Sequence, residues 1–198
     1  HNYELTDKPK STSNNNSKNS NTNTQDINFN NVSFQYEGPK SPQVLKNINF
    51  SIPKNKITAI VGSSGSGKST LLKLLLKYYN PTIGSIIINN KNLIDLNLES
   101  WREEYGVVMQ EGFVFSETIE RNIATSDLEI DQQKLENAIQ IANLNEYINN
   151  LPLGIKTKIG SSGSGISGGQ KQRILIARAV YKNPNYLFFD EATSSLDA

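Results

Sequence analysis

From Ile27 onward the chain alternates apolar and polar positions in a regular way. Ile27 to Tyr36 and Val44 to Ile52 both follow a period of two, which predicts a pair of half-buried antiparallel strands separated by the GPKSP turn. Lys56 to Val61 (KITAIV) is a short apolar run of the kind that forms a buried strand. The following STLLKLLLKYY is apolar on nearly every side except at Lys73 and Lys77, so it predicts a mostly buried helix with one wet stripe. Further strands are predicted at Ser85 to Ile88, Tyr105 to Met109 and Tyr186 to Phe189. Between the last two, Asp131 to Leu144 places Leu135, Ala138, Ile139 and Ala142 at helical spacing behind an aspartate that can cap the helix. Strands alternating with helices predict an α/β domain with a largely parallel core sheet, an antiparallel piece in front and a helical insert in the middle.

Ahead of this pattern, Lys8 to Gln25 is almost entirely Asn, Ser, Thr and Lys and offers nothing to bury. Residues 1–25 are therefore expected to be a disordered linker, with the folded domain over 26–198. A chain of 198 residues is long enough for one sizeable core. Its 20 Lys and Arg against 19 Asp and Glu give a net charge of +1, so no basic field argues for nucleic acid. The absence of cysteine removes disulfides and thiolate metal sites from consideration. No apolar run approaches the ~18 residues that a membrane helix requires.

Chemistry enters at residues 62–70, GSSGSGKST, which match G-x-x-x-x-G-K-[ST] between a predicted strand and a predicted helix. In that pattern the backbone of Gly62, Ser63, Ser64, Gly65, Ser66 and Gly67 folds so that successive amides face phosphate oxygens. The helix N-terminus beyond adds partial positive charge. Lys68 would reach the β and γ phosphates, Ser69 would ligate Mg²⁺, and Thr70 completes the motif. The chain supplies its own control, because GSSGSG recurs at residues 160–165 with Ile166 and Ser167 where a phosphate loop needs Lys and Ser/Thr. The second copy reads as a flexible loop.

Two other segments carry charge or charge-binding geometry. Ser167 and Gln170 form an S-x-x-Q capping box for a helix running to about Lys182, and a glycine-exposed helix start at Gly168 and Gly169 is an anion site. The YLFF strand ends in Asp190 and Glu191, and strand ends are where α/β sheets present ligand sites.

Taken together, ISGGQ at 166–170 running into KQR, the YLFFDE strand behind it and the phosphate loop in front resemble the ATP-binding cassette (ABC) ATPases. The resemblance covers residues 27–198 and implies a P-loop fold with ATP and Mg²⁺ as cofactors. Asp190 is similar to the Mg²⁺-holding carboxylate and Glu191 to the general base that orients the attacking water, with Lys68 and Gln110 also in the catalytic set. Gln110 is similar to the glutamine that touches Mg²⁺ and connects the site to a membrane domain. Tyr36 is similar to the aromatic that stacks on adenine. Ser167, Gly168, Gly169 and Gln170 would meet ATP held by a second nucleotide-binding domain in a head-to-tail dimer, and Asp197 of SSLD would cross that interface.

The segment after Gln110, EGFVFSETIERNIA, resembles the part of ABC exporters that faces the membrane domain. The implied function is ATP hydrolysis that powers export from the cytoplasmic face of the plasma membrane, without nucleic acid. The wording around both glycine motifs is most similar to peptidase-containing bacterial peptide exporters. Two departures stand out. The chain stops at Ala198 with no internal histidine to act as the family's switch residue, and Gly160 to Gly165 lacks the acidic residue that exporters often carry there. These predict a C-terminally truncated fragment that binds ATP and hydrolyses it poorly. A soluble non-transport ABC ATPase and an ATP-binding module with little turnover are the alternatives.

Overall fold

In the computed structural model, residues 26–38, 41–160, 163 and 165–190 are described. The expected linker over 1–25, Glu191, Asp197 and, in the second GSSGSG copy, Ser161, Ser162 and Ser164 lie outside them. Strand β1 (Ile27–Gln35) is the centre of an antiparallel sheet, flanked by β2 (Gln43–Ile52) on one side and β3 (Ile83–Ile88) on the other. The two-residue β4 (Lys91–Asn92) closes the far edge. The alternation predicted the first pair almost to the residue, but not its irregularity. The register slips between Phe29 and Val32, next to Asn31, which takes a left-handed φ of 51° and donates its amide to Asn49 Oδ1 at 2.8 Å.

Asparagine is used this way repeatedly. Of the eight non-glycine residues with positive φ among those described, seven are Asn, the residue whose short polar side chain tolerates that region best. Asn143 shows the effect on a boundary. Helix α4 (Gln132–Ile141) is capped by Asp131 as expected, with Oδ1 accepting from the amides of Gln133 and Lys134. It then stops three residues before Leu144, because Asn143 turns left-handed and the Leu144 amide bonds back to Ile139 O at 3.0 Å.

Helix α1 (Lys68–Leu75) also ends early. Lys77 is not on a wet stripe; it is the left-handed residue of a Schellman closure, in which the Tyr78 amide bonds to Lys73 O and the Lys77 amide to Leu74 O. Its ammonium group donates to the carbonyls of Ile94 and Leu96. The apolar side of α1 is buried with β1, β2 and β3 in a core that also takes in Trp101 of α2 (Leu98–Glu104), whose indole N–H donates to Leu75 O at 2.8 Å.

A second core lies around α3 (Ile119–Ile123), α4, α5 (Asn145–Asn149) and the long α6 (Gly168–Tyr181). Between the two cores run β5 (Tyr105–Val108) and β6 (Tyr186–Phe189), paired in parallel from Tyr105 opposite Tyr186 to Val108 opposite Phe189. Helix α6 crosses β5 so closely that a Cβ on Gly106 would stand 2.2 Å from Ala179 O.

One expected strand is not formed. Residues 56–61 are irregular, with Ile57 and Val61 at 101% and 87% exposure, so the buried-strand reading of KITAIV is corrected. An apolar run becomes a strand only when neighbours take its amides and carbonyls. Among the described residues β6 pairs with β5 alone and no strand pairs with 56–61. Among the described residues the parallel pairing is accordingly that of β5 with β6.

Leu74, in the last turn of the helix that follows the phosphate loop, is fully buried in the core under the antiparallel sheet. Leu74→Ala is expected to destabilise the protein by about 2–5 kcal/mol, measured by urea unfolding, and a change below about 0.5 kcal/mol would show that α1 is not packed as described.

Candidate nucleotide site

The start of α1 explains why the loop before it is rich in glycine. Gly67 is the N-cap with φ 97°, a conformation that a side chain resists, and an added Cβ would stand 2.8 Å from Leu45 Cδ2 on β2. Glycine here lets the loop turn into the helix against the sheet. The N-cap has no side-chain hydrogen bond, so the first amides of α1 keep their capacity for an anion.

Lys68 folds back over its own loop, and its Nζ donates to Gly62 O and Ser63 O, each at 3.0 Å. An ammonium has three donors, so one is left for a phosphate oxygen. The next residue reaches across the molecule. Ser69 Oγ donates to Asp190 Oδ1 at 3.1 Å, joining positions 121 residues apart in the chain. Asp190 is held at the end of β6 by its own amide, which donates to Val108 O at 2.9 Å.

These two oxygens suit a magnesium ion. Adjacent corners of an octahedron with ligand distances near 2.1 Å stand about 3.0 Å apart, close to the Ser69–Asp190 separation of 3.1 Å. One carboxylate and one hydroxyl are a sparse donor set, as expected for an ion that keeps waters and shares phosphate oxygens. Gln110 follows β5 by two residues and is exposed beside the same end of the parallel pair.

Tyr36, just past β1, is half-buried, and its hydroxyl shares a hydrogen bond of 3.0 Å with Thr70 Oγ1. Its ring meets those of Phe34 and Tyr79 edge to face, at 4.9 and 5.2 Å. This ties the aromatic to α1. Thr70 and Tyr79 as its partners were not visible in the sequence, where the only hint was the aromatic pair after the helix.

The signature helix forms as expected. Ser167 Oγ accepts from the Gln170 amide at 3.2 Å and Gln170 Oε1 accepts from the Ser167 amide at 2.9 Å, so the capping box is complete. Ser167 and Gly168 are exposed and Gly169 is half-buried. A phosphate loop closed on its lysine, a Ser–Asp pair of metal-ligating geometry and a separate capped glycine helix start are three parts of one pattern.

The model of the family described as ABC transporter matches residues 45–194. The chain belongs to the ABC transporter family. It is 47% identical, over 84% of its length, to ABC transporter B family member 29, chloroplastic, of Arabidopsis thaliana, covering 26% of that protein. It is 44% identical over 87% of its length to the mitochondrial iron-sulfur clusters transporter ATM1 of Chaetomium globosum, covering 28% of it. To the toxin RTX-I translocation ATP-binding protein of Actinobacillus pleuropneumoniae it is 42% identical over 87% of its length, covering 24%. A solved bacterial Atm1-family ABC exporter with ATP bound superposes with a TM-score of 0.81 at 37% identity, over 89% of this chain and 31% of that one. The likeness is to an ABC nucleotide-binding domain of exporter type, and the chain spans about a quarter to a third of these relatives.

Residues missed by sequence reasoning lie just outside this site. Arg178 on α6 and Asn122 on α3 join those helices to the segment after Gln110. The signal was an arginine in the otherwise apolar ILIARAVY. Burial pushes the Arg178 guanidinium pKa down from its ordinary value.

Lys68→Ala is expected to weaken ATP binding on the order of 10- to 100-fold with or without Mg²⁺, the size of a lost charged hydrogen bond. Ser69→Ala and Asp190→Asn should instead remove mainly the gain that Mg²⁺ brings. Titration of a fluorescent ATP analogue with Mg²⁺ and with EDTA separates the two; equal losses under both conditions for Asp190→Asn would contradict its metal role.

Proposed function

We propose that this domain binds ATP with Mg²⁺ and hydrolyses it to power export across a membrane, working as one half of a head-to-tail pair of such domains. The observation that carries the reading is the Ser69–Asp190 contact, which brings the phosphate-loop helix and the end of β6 to one ion-binding point. Family membership and the likeness to an exporter support the same reading. Bound magnesium would supply charge neutralisation on the phosphates.

The roles of the chain's own groups follow from their chemistry. Lys68 holds the outer phosphates as a point charge. Ser69 and Asp190 supply the protein oxygens for the ion, and Gln110 stands at the same strand end to sense it. Tyr36 offers its ring to the adenine, and its tie to Thr70 keeps base and phosphate subsites in register. Glu191, next to Asp190, takes the proton of the attacking water.

Ser167, Gly168 and Gly169 serve the nucleotide of the partner domain. Their amides lie at an exposed, capped helix start, suited to a γ-phosphate brought by another surface. Asp197 contributes to that interface. Closure around two nucleotides supplies the work and product release resets it.

The membrane domain of the same transporter is the second partner, and it meets the segment after Gln110, where Phe113 and Phe115 are exposed. In this reading the domain works at the cytoplasmic face of the membrane. No helix among the described residues is long and apolar enough to cross it. The named relatives differ in cargo, from iron-sulfur clusters to a toxin, while sharing this domain, so the domain supplies the power stroke rather than cargo choice.

In the full-length transporter, Glu191→Gln is expected to retain ATP binding, stop turnover and trap an ATP-bound dimer, as read by phosphate release and by size. Turnover near the wild-type rate would remove Glu191 as the base. Gly168→Asp puts a carboxylate where a partner's phosphate should come; nucleotide binding to each domain should persist while ATP-dependent dimerisation is lost, and unchanged dimerisation would rule out the trans role.

A further inference from the structure

The segment after Gln110 is built on a polar pair, Asn122 and Arg178, that the nucleotide site does not use. Asn122 is completely buried, and its Nδ2 donates to the carbonyls of Phe115, Glu117 and Thr118 at 3.0, 3.3 and 3.0 Å. Its Oδ1 accepts from the Phe115 amide at 2.8 Å and from Arg178 Nη2 at 3.2 Å. Arg178 adds two shorter bonds, Nε to Asn122 O and Nη1 to Phe113 O, both 2.7 Å. Its Cζ lies 5.2 Å from the centre of the Phe115 ring.

None of these partners is a carboxylate. A half-buried guanidinium with no carboxylate bonded to it among the described residues bears a desolvation cost that an apolar residue on the same helix face would avoid. What the planar fork adds is geometry, because its donors fix two carbonyls and an amide oxygen at once. The backbone is pinned from other directions too. A Cβ on Gly112 would stand 2.1 Å from Leu175 Cδ1 of α6, and the Ile159 amide bonds to Glu117 O at 3.0 Å. On this stiff base Phe113 and Phe115 meet edge to face at 5.3 Å and remain 66% and 46% exposed.

Arg178 sits on the helix whose other end is the capped signature. The rise from Ser167 to Arg178 is roughly 16 Å along α6. We propose that Arg178 is a positioning residue that makes α6 and the Phe113–Phe115 segment one rigid body. A displacement of the Ser167 end by nucleotide then reaches the exposed aromatic pair instead of being absorbed by a loop. This rests on the proposed function above, in which that helix end meets ATP.

The test is hydrogen exchange of the full-length protein, with and without ATP, Mg²⁺ and vanadate, for wild type, Arg178→Lys and Arg178→Met. Lysine keeps the charge but not the fork. In wild type, peptides covering 62–70, 113–118 and 167–170 should all gain protection. In both variants the first and last should still gain it and the KM for ATP should stay within about twofold, while nucleotide-dependent protection of 113–118 falls about tenfold, a coupling of ordinary size. Full retention of that protection in the variants overturns the proposal. So does a parallel rise in KM, which would make Arg178 a general packing residue. If neither variant folds, wild type decides alone: protection at 62–70 and 167–170 without a change at 113–118 overturns the coupling. No change at 62–70 or 167–170 in wild type overturns the nucleotide reading itself.

Discussion

The contact between Ser69 and Asp190 sets the tolerance for the rest of the molecule. A hydroxyl at the start of one helix and a carboxylate at the end of a distant strand must meet within a few tenths of an ångström to share an ion. Both lean on the first core, α1 through the antiparallel sheet and Trp101 and β6 through Tyr186 and Phe188, while the second core reaches β6 through α6, which lies over its parallel partner β5. Both cores are therefore in service of one small separation. The glycine at 106 belongs to the same requirement, since a side chain there would push α6 off β5 and move the strand that positions Asp190.

The two glycine-rich copies show how little glycine itself decides. At 62–67 the loop ends in a left-handed glycine packed against Leu45, and a lysine follows that bonds back to the loop carbonyls. At 160–165 an isoleucine and a serine follow, and the serine caps a helix instead. The first arrangement folds the loop around its own lysine, and the second presents a helix end outward. In the function proposed above, that outward end meets a second nucleotide-binding domain.

The segment after Gln110 binds the same logic to the surface. Exposed aromatic rings are costly unless something covers them, and a loose loop would fold them inward. Here Asn122 and Arg178 saturate the surrounding carbonyls, so the rings are presented on a fixed backbone. The same helix that presents the capped Ser167 at its start thus carries, near its end, the arginine that holds the Phe113–Phe115 segment.

By itself the sequence determined the motifs and the local conformations that depend on nearest neighbours. The phosphate loop, the capping box of α6, the Asp131 cap and the alternation of β1 and β2 were all legible, because each is settled by residues a few positions apart. Boundaries at Lys77 and Asn143 were not, since a left-handed closure in a non-glycine residue follows from packing as much as from identity. KITAIV shows the limit most clearly: its apolar pattern states a capacity for burial, but whether it becomes a strand depends on neighbours elsewhere in the chain. The meeting of Ser69 with Asp190, of Tyr36 with Thr70 and of Arg178 with Asn122 was decided only by the tertiary structure. Hydrogen bonds between residues tens of positions apart depend on how whole elements pack, and no local pattern encodes that distance.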